Sequence, residues 1–226
     1  MGRIASTQLP VNMIVVGPPA AGKGTQAERI AADRSIPKIS TGEMLREAIQ
    51  QRTELGLRAK AVVERGELVD DDLMIRIVQQ RLDRADARRG FILDGFPRTV
   101  AQAKALDQAI ASRDPLIIIE IAVPDDELIR RMASRRICSA CGANAEPGDA
   151  KCRRCGGALV LRADDGNADV RQRRLQVYAR DTEPIVSYYR GRPTFRSVDG
   201  AQSSDRVAET IAVAIDSALE TMGSSS

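Results

Sequence analysis

A glycine-bounded loop near the start of the chain carries a lysine. The apolar run 11–16 leads into Gly17-Pro18-Pro19-Ala20-Ala21-Gly22-Lys23-Gly24-Thr25, and a helical stretch follows. In such a loop the backbone N–H groups point inward and the helix start adds its dipole, so the hollow attracts phosphate. Lys23 adds a positive charge where the outer phosphates of a nucleotide would lie. This order predicts a nucleotide site; the plainer alternative is a glycine-containing turn with a surface lysine.

Two further features bear on a magnesium ion beside those phosphates. Ser or Thr usually follows the lysine of such a loop directly, but here Gly24 intervenes and the hydroxyl belongs to Thr25. Later in the chain, Phe91-Ile92-Leu93 delivers Asp94 to the end of a buried strand. That is a usual position for a carboxylate that holds magnesium through water. The structural alternative is that Asp94 caps the following turn.

All four cysteines form two C-x-x-C pairs, Cys138 with Cys141 and Cys152 with Cys155. Two such pairs can bring four thiolates to a tetrahedral zinc, and a closed four-sulfur site leaves no open position for catalysis. Two disulfides are the competing explanation, and they would suit an oxidising compartment. A zinc ribbon can also bind nucleic acid, and Arg153-Arg154 keeps that alternative open. We expect structural zinc.

Arginines recur near the predicted turns and around the cysteine segment. Each one alone is by default a solvated surface charge. Together with a phosphate loop they suggest a cluster that converges on two phosphate chains, because the planar guanidinium matches phosphate oxygens. Phosphoryl transfer needs such a cluster, since negative charge spreads over the oxygens of the transferring group. The candidates are Arg46, Arg98, Arg131, Arg135, Arg136, Arg162, Arg171, Arg173 and Arg174.

The composition excludes several classes of function. With 34 Lys and Arg against 31 Asp and Glu, the net charge of +3 is too balanced to indicate nucleic-acid binding by charge alone. There is no His, which excludes histidine acid–base chemistry, and there is no Trp. No run approaches the roughly 20 apolar residues of a membrane span, and residues 1–10 lack the apolar core of a signal peptide. We expect a cytoplasmic monomer that binds no membrane or nucleic acid.

Short apolar strands alternate with helical stretches, which predicts a parallel sheet wrapped by helices. Strands are expected at 12–17, 38–40, 90–94, 116–123 and 194–198. Helices are expected at 22–33, 42–50, 56–65, 71–84, 98–111, 125–136, 168–190 and 203–221. Several starts carry cap residues, namely Thr41, Asp70 and Asp125. The cysteine-containing segment 137–166 is too poor in large apolar residues to build a core.

These motifs, in this order, resemble the adenylate kinase family, in its bacterial type whose lid carries zinc. The resemblance runs from about Met13 to the C-terminal helix. Its carriers are Gly22-Lys23-Gly24-Thr25-Gln26, Ser40-Thr41-Gly42-Glu43-Met44-Leu45-Arg46, Asp94-Gly95-Phe96-Pro97-Arg98-Thr99, Arg135-Arg136 and Arg162-Ala163-Asp164-Asp165. It implies reversible phosphoryl transfer from ATP with Mg²⁺ to AMP, which gives two ADP, and a structural Zn²⁺.

The resemblance also implies an architecture. We expect an α/β P-loop three-layer sandwich with a parallel five-stranded sheet, a helical AMP-binding arm and a small zinc-ribbon lid. After a disordered N-terminus at 1–10, one domain would span 11–223. Its core would comprise 11–39, 70–133 and 167–222, with the arm at 40–69 and the lid at 134–166. The arm would fold over AMP and the lid over ATP.

Site residues follow from the resemblance by motif match. ATP would contact Ala20, Ala21, Gly22, Lys23, Gly24, Thr25, Arg131, Arg135 and Gln202, with Val198-Asp199-Gly200 facing adenine. AMP would contact Thr41, Arg46, Glu67, Leu68, Val69, Gly95, Arg98, Gln102, Arg162 and Arg174, and Gln102 would read the base edge. The catalytic residues would be Lys23, Arg98, Arg135, Arg162 and Arg174. Asp94 would hold magnesium through water, and Cys138, Cys141, Cys152 and Cys155 would hold zinc.

The chain departs from the family pattern at four points. Ala20 stands where the family usually has glycine, which costs nothing at negative φ and strains the loop otherwise. Glu43 replaces an aspartate and lengthens a possible contact to a magnesium-bound water. The gap between the cysteine pairs is short, so we expect a trimmed lid. One residue more than in the family pattern lies between Asp165 and Leu175, so either Arg173 or Arg174 could be the arginine that bridges both nucleotides. We prefer Arg174, because loops absorb insertions more readily than helices.

Three other functions stay open at this stage. A kinase for UMP or CMP belongs to the same class, although Thr41 and Gln102 favour AMP. A zinc-ribbon ATPase that binds nucleic acid would need stacking platforms, and the chain has only three Phe and three Tyr. A nucleotide-binding protein without catalysis is suggested only by the changes at Ala20 and Glu43.

Overall fold

The computed structural model describes residues 11–113, 116–146, 148–162 and 165–223. The segment 1–10, predicted to be disordered, lies outside these residues. So do Ala163 and Asp164, two members of the arginine- and aspartate-containing motif that begins at Arg162.

Five parallel strands form the central sheet, namely β1 (Val11–Val16), β2 (Lys38–Ser40), β3 (Gly90–Asp94), β4 (Leu116–Ala122) and β7 (Phe195–Asp199). Their spatial order is β2-β3-β1-β4-β7. The central strand β1 is buried along its whole length, as expected for a parallel sheet that is covered on both faces. Each of these strands lies within one residue of its predicted position.

Helices follow the strands along the chain. They are α1 (Lys23–Arg34), α2 (Thr41–Gln50), α3 (Glu54–Glu64), α4 (Asp71–Leu82), α5 (Val100–Ala109), α6 (Asp125–Ser134), α7 (Ala168–Val177), α8 (Glu183–Tyr189) and α9 (Ser204–Gly223). A short 3-10 helix, Ala85–Ala87, precedes β3.

Alternate residues of the strands face two separate apolar clusters, because successive side chains of a strand point to opposite faces. Ile14 and its neighbours on the same face pack with α4, α5 and α8. Met13 and its neighbours on the opposite face pack with α1, α6 and α9. The predicted three-layer α/β sandwich is therefore confirmed.

The single helix predicted at 168–190 is wrong in one respect. A π-helical turn, Tyr178–Thr182, separates α7 from α8. Within it the Glu183 N–H reaches the carbonyl of Tyr178, five residues back. Pro184 follows directly and has no N–H to continue the α-helical pattern, which accounts for an interruption at this point.

Two of the three predicted caps need correction. Asp70 caps α4 as expected, since its carboxylate accepts a hydrogen bond from the Leu73 N–H at 3.0 Å. The cap of α2 is Ser40 and not Thr41, because the chain enters the helix one residue earlier than predicted. Asp125 lies in the first turn of α6 after Pro124, where a negative charge still suits the helix dipole.

A small antiparallel ribbon lies in the cysteine segment, where a zinc ribbon was expected but no strands were placed. It pairs β5 (Arg136–Cys138) with β6 (Leu159–Leu161). Three-residue strands give too little alternation to be recognised in a sequence.

Within the described parts of the chain, none of the helices has the length and apolar character needed to cross a membrane.

Candidate active site

The loop between β1 and α1 wraps around its own lysine. The Lys23 Nζ donates hydrogen bonds to the carbonyl oxygens of Gly17, at 2.8 Å, and Pro18, at 2.7 Å. Gly17 adopts φ +145°, and a Cβ there would lie 2.5 Å from the carbonyl oxygen of Ile121. Only glycine therefore lets the loop pass this close to β4. Burial lowers the pKa of Lys23 from 10.5 to about 7, and the nearby Asp94 opposes that shift.

Ala20 has a positive φ, which is the strained one of the two backbone conformations that the sequence left open. Its φ is +64°, in the left-handed region, where a side chain approaches the following carbonyl. For a residue with a Cβ this conformation costs roughly 1–2 kcal/mol. The loop therefore holds a backbone strain that a glycine at this position would not carry.

A large cavity of about 790 Å³ opens above this loop, at the carboxyl ends of the sheet strands. Every residue predicted to bind ATP lines it, namely Ala20, Ala21, Gly22, Lys23, Gly24, Thr25, Arg131, Arg135 and Gln202. Of the three residues expected to face adenine, only Gly200 is among the lining residues; Val198 is buried in the core and Asp199 is exposed. Arg131 donates a hydrogen bond to the Gly200 carbonyl at 2.9 Å.

A second, smaller cavity of about 60 Å³ lies between the first cavity and α2 and α3. All ten residues predicted to bind AMP line it, namely Thr41, Arg46, Glu67, Leu68, Val69, Gly95, Arg98, Gln102, Arg162 and Arg174. Four arginines line both cavities, namely Arg46, Arg98, Arg162 and Arg174. The structure thus brings the predicted donor and acceptor residues to two adjoining cavities that share these arginines.

Asp165 joins two of the predicted catalytic arginines. Its carboxylate, which is 2% exposed, pairs with Arg135 at 2.6 Å and also with Arg174. Burial lowers the pKa of Arg135 to about 10, and the neighbouring Arg162 adds to that effect while Asp165 opposes it. Sequence reasoning quoted Asp165 within a motif but gave it no role. The signal that could have found it is the Asp164-Asp165 pair, which lies in the sequence between Arg162 and the arginines at 171–174.

The two candidate bridging arginines lie in different surroundings. The Arg174 side chain is 13% exposed and faces both cavities. The Arg173 side chain is 51% exposed, with its Nη2 3.6 Å from the Glu67 Oε1. Of the two, Arg174 is the side chain that lies between the cavities, and its bridging role stays a prediction.

Asp94 ends β3 beside the phosphate loop and lines the large cavity. The Ser40 Oγ donates a hydrogen bond to its Oδ2 at 3.3 Å. A carboxylate in this position, near Lys23, fits a magnesium ion held through water. Glu43 does not share that position, because its Oε1 accepts a hydrogen bond from the Lys38 Nζ at 2.7 Å.

The four cysteine sulfurs form one compact cluster, all within 4.8 Å of one another. The sulfurs of Cys138 and Cys155 lie 3.4 Å apart, and those of Cys141 and Cys152 lie 3.6 Å apart. The four residues are thiols, so the two-disulfide alternative is not the arrangement of this structure. A tetrahedral zinc places its sulfur ligands about 3.8 Å apart, so the cluster fits that metal.

The two C-x-x-C pairs are built on the same backbone turn. In each, the N–H of the first cysteine, Cys138 or Cys152, donates to the carbonyl five residues later, at 2.8 and 3.0 Å respectively. The glycine after the second cysteine, Gly142 or Gly156, donates back to the carbonyl of the first. Both glycines have φ near +70°, which explains why glycine stands at both positions.

The cysteine segment also reaches over the phosphate loop. Asn144, Ala145, Glu146 and Gly148 line the large cavity, although sequence reasoning assigned none of them to the site. A Cβ on Gly24 would lie 3.0 Å from the Asn144 Nδ2. No motif in the sequence indicates this contact, since it depends on how the segment folds back onto the core.

Comparisons with known proteins agree with this geometry. The family model described as Adenylate kinase matches residues 15–194. An adenylate kinase of Archaeoglobus fulgidus is 46% identical over 209 residues, which cover 89% of this chain and 96% of the relative. One of Moorella thermoacetica is 46% identical over 215 residues, covering 91% and 98% respectively. One of Rhizobium etli is 42% identical over 209 residues, covering 89% and 97%.

These matches span most of the chain and include the phosphate loop and the cysteine segment. They support the adenylate kinase interpretation over the UMP or CMP kinase, the zinc-ribbon ATPase and the non-catalytic alternatives. The chain belongs to the adenylate kinase family, whose enzymes transfer a phosphoryl group reversibly between ATP and AMP.

Proposed function

We propose that this protein converts ATP and AMP to two ADP by holding both nucleotides end to end in the two adjoining cavities. The observation that carries the proposal is that every residue predicted to bind AMP lines the small cavity, and every one predicted to contact ATP, apart from Val198 and Asp199, lines the large one. Arg98, Arg162 and Arg174 line both cavities, where the transferring phosphoryl group would lie.

The proposed chemistry is positioning and charge stabilisation without a covalent intermediate. The loop around Lys23 would hold the outer phosphates of ATP, and Arg98, Arg135, Arg162 and Arg174 would surround the group in transfer. Such a group spreads negative charge over its equatorial oxygens, so fixed cations around it lower the barrier. Asp165 would keep Arg135 and Arg174 in place before any phosphate arrives, because it already pairs with both.

Exclusion of water is the second part of the proposal. Water competes with AMP as acceptor, and an open site would hydrolyse ATP. In this structure Asn144 and its neighbours already lie over the phosphate loop. We therefore assign residues 134–166 as a lid over ATP, residues 40–69 as an arm over AMP, and the rest of 11–223 as the core.

Two metal ions would serve different purposes. Zinc would be held by Cys138, Cys141, Cys152 and Cys155 and would keep the lid in one shape, because the segment has no apolar core. Magnesium would be held through water by Asp94, and when bound it neutralises phosphate oxygens. Reduced thiols suit a cytoplasmic protein. We propose a monomer, because one chain supplies the residues around both cavities.

A coupled assay of ADP formation tests the proposal. ATP should give ADP rapidly with AMP as acceptor and much more slowly with UMP or CMP. Lys23→Met should lower turnover severely while the circular dichroism spectrum stays unchanged, because the lysine donates its hydrogen bonds to carbonyls of its own loop. Equal rates with all three acceptors, or full turnover by Lys23→Met, would contradict the proposed mechanism.

A further inference from the structure

The side-chain amide of Gln102 is held at both of its ends. Its Nε2 donates a hydrogen bond to the Asp71 Oδ1 at 2.7 Å, and its Oε1 accepts one from the Arg98 N–H at 2.8 Å. The residue is 2% exposed and lines the small cavity. Each end of the amide keeps one further hydrogen-bonding position, since Nε2 has a second hydrogen and Oε1 a second lone pair.

Asp71 is held in turn by a neighbouring hydroxyl. Its Oδ2 accepts a hydrogen bond from the Thr99 Oγ1 at 2.7 Å. Thr99 caps α5 and accepts a hydrogen bond from the Gln102 N–H at 3.2 Å. The first residue of α4 and the first turn of α5 therefore form a closed set of hydrogen bonds around one amide.

This arrangement leaves the amide one orientation. The two ends of an amide differ little in shape, so only their partners determine which end lies where. An ionised carboxylate accepts hydrogen bonds and cannot donate them, whereas a backbone N–H only donates. An inverted Gln102 would put its oxygen against Asp71 and its NH₂ against the Arg98 N–H, and both contacts would be lost.

We propose that Asp71 is a positioning residue that sets the base selectivity of the acceptor site by fixing the orientation of Gln102. This inference rests on the proposed function, in which Gln102 reads the acceptor base. Adenine offers a donor at its 6-amino group and an acceptor at N1. Hypoxanthine has the same ring shape but offers an acceptor at O6 and a donor at N1, so it would need the inverted amide.

The test compares AMP with IMP as acceptors in the wild type and in Asp71→Asn. An asparagine at this position has nearly the same shape but can also donate, so it gives the inverted Gln102 a partner. We expect the ratio of kcat/KM for AMP to that for IMP to fall at least about tenfold, chiefly through a higher KM for AMP. The KM for ATP should not change.

Asp72→Asn is the matched control. It removes the same charge from the same first turn of α4, at a side chain that is exposed. Its AMP to IMP ratio should equal that of the wild type. Thr99→Val is the second variant, in case Asp71→Asn does not fold. It removes one partner of Asp71 and should shift the ratio in the same direction by a smaller factor.

The possible results distinguish a failure of this inference from a failure of the proposed function. A wild type that forms no ADP from ATP and AMP would contradict the proposed function itself. An active Asp71→Asn variant with an unchanged ratio would overturn the inference, as would an equal loss of kcat/KM for both acceptors, which is the result expected of a merely structural residue. If Asp71→Asn does not fold, an unchanged ratio in Thr99→Val overturns it.

Discussion

The Asn144 side chain lies against Gly24 of the phosphate loop. A methyl group on Gly24 would be 3.0 Å from the Asn144 Nδ2 and 3.2 Å from the Asp94 Oδ2. The Ser or Thr that commonly follows the lysine of a phosphate loop would crowd both. Any side chain at position 24 would therefore require Asn144 and Asp94 to shift by a few tenths of an ångström, whereas glycine lets the cysteine segment lie directly on the loop.

Gly24→Val should prevent that close approach. The branched side chain would hold Asn144 away from the loop, so we expect the KM for ATP to rise about tenfold, equivalent to about 1.4 kcal/mol. ATP hydrolysis without AMP should increase relative to transfer. Steady-state assays with and without AMP measure both effects. Gly191→Val is the control, since a Cβ there meets nothing within 4 Å; equal kinetics of the two variants would refute the steric argument.

Arg174 and Arg173 form a natural pair for testing the bridging role. Arg174→Met removes a cation that lines both cavities, and we expect kcat to fall at least about a hundredfold. Arg173→Met removes a half-exposed cation and should change kcat no more than about threefold. Steady-state assays and thermal unfolding of both variants distinguish lost catalysis from lost stability. A larger effect at Arg173 would reverse the assignment.

Ala20→Gly should stabilise the protein. Relief of the left-handed conformation gains roughly 1–2 kcal/mol, and the greater freedom of glycine in the unfolded chain offsets about 0.4–1 kcal/mol of that. We expect a net gain of about 0.5–1 kcal/mol, or about 2 °C in Tm. Ala21→Gly, at the buried neighbour without a positive φ, should instead destabilise. Calorimetry of both variants measures the difference, and a lower Tm for Ala20→Gly would show that the loop is not strained there.

Binding of ATP should take up a proton at Lys23. Because burial lowers the pKa of this lysine from 10.5 to about 7, the free protein holds it mostly neutral at about pH 8. A bound polyphosphate favours the charged form of the lysine and raises its pKa. The number of protons taken up per ATP bound should therefore be close to one at about pH 8 and close to zero at about pH 6. Titration calorimetry in buffers of different ionisation enthalpy measures the uptake. Lys23→Arg, which is charged throughout, should show none; equal uptake by both proteins would assign the proton to another group.

Metal removal should act on the cysteine segment before the rest of the molecule. Protein purified under reducing conditions should contain one zinc per chain, and a strong chelator should lower Tm and open residues 136–162 to trypsin, because the metal replaces an apolar core there. Selectivity for AMP should not change. Cys152→Ser should lose the metal, whereas Ser139→Ala, in the same segment, should keep it. Absence of metal from the purified wild type would contradict the zinc assignment.

Features that depend on local spacing could be predicted from the sequence. Lys23 lies in the phosphate loop because strand, glycines and helix follow one another directly, and Cys138 and Cys141 share a turn because only two residues separate them. The sheet could be predicted because its strands are short apolar runs between helical stretches. The π-helical turn was missed because hydrophobic periodicity barely changes when one residue is added to a helical turn.

Contacts between distant residues could not be predicted from spacing. Asp71 and Gln102 are 31 positions apart and meet only because α4 and α5 pack side by side. Asn144 meets Gly24 only because the cysteine segment folds back on the core. The φ of Ala20 follows from the course of the whole loop and not from its own side chain. In each case tertiary structure decides a property that no local pattern carries.

The repeated turn around the cysteines has a consequence for how the enzyme responds to its surroundings. A segment held by metal–sulfur bonds does not depend on hydrophobic burial, which weakens on cooling and in urea. The helices α2 and α3, by contrast, contribute apolar side chains to the core cluster. The proposed arm over AMP and the proposed lid over ATP should therefore unfold independently. Cold or mild denaturant would destabilise the arm first, and loss of the metal would destabilise the lid first.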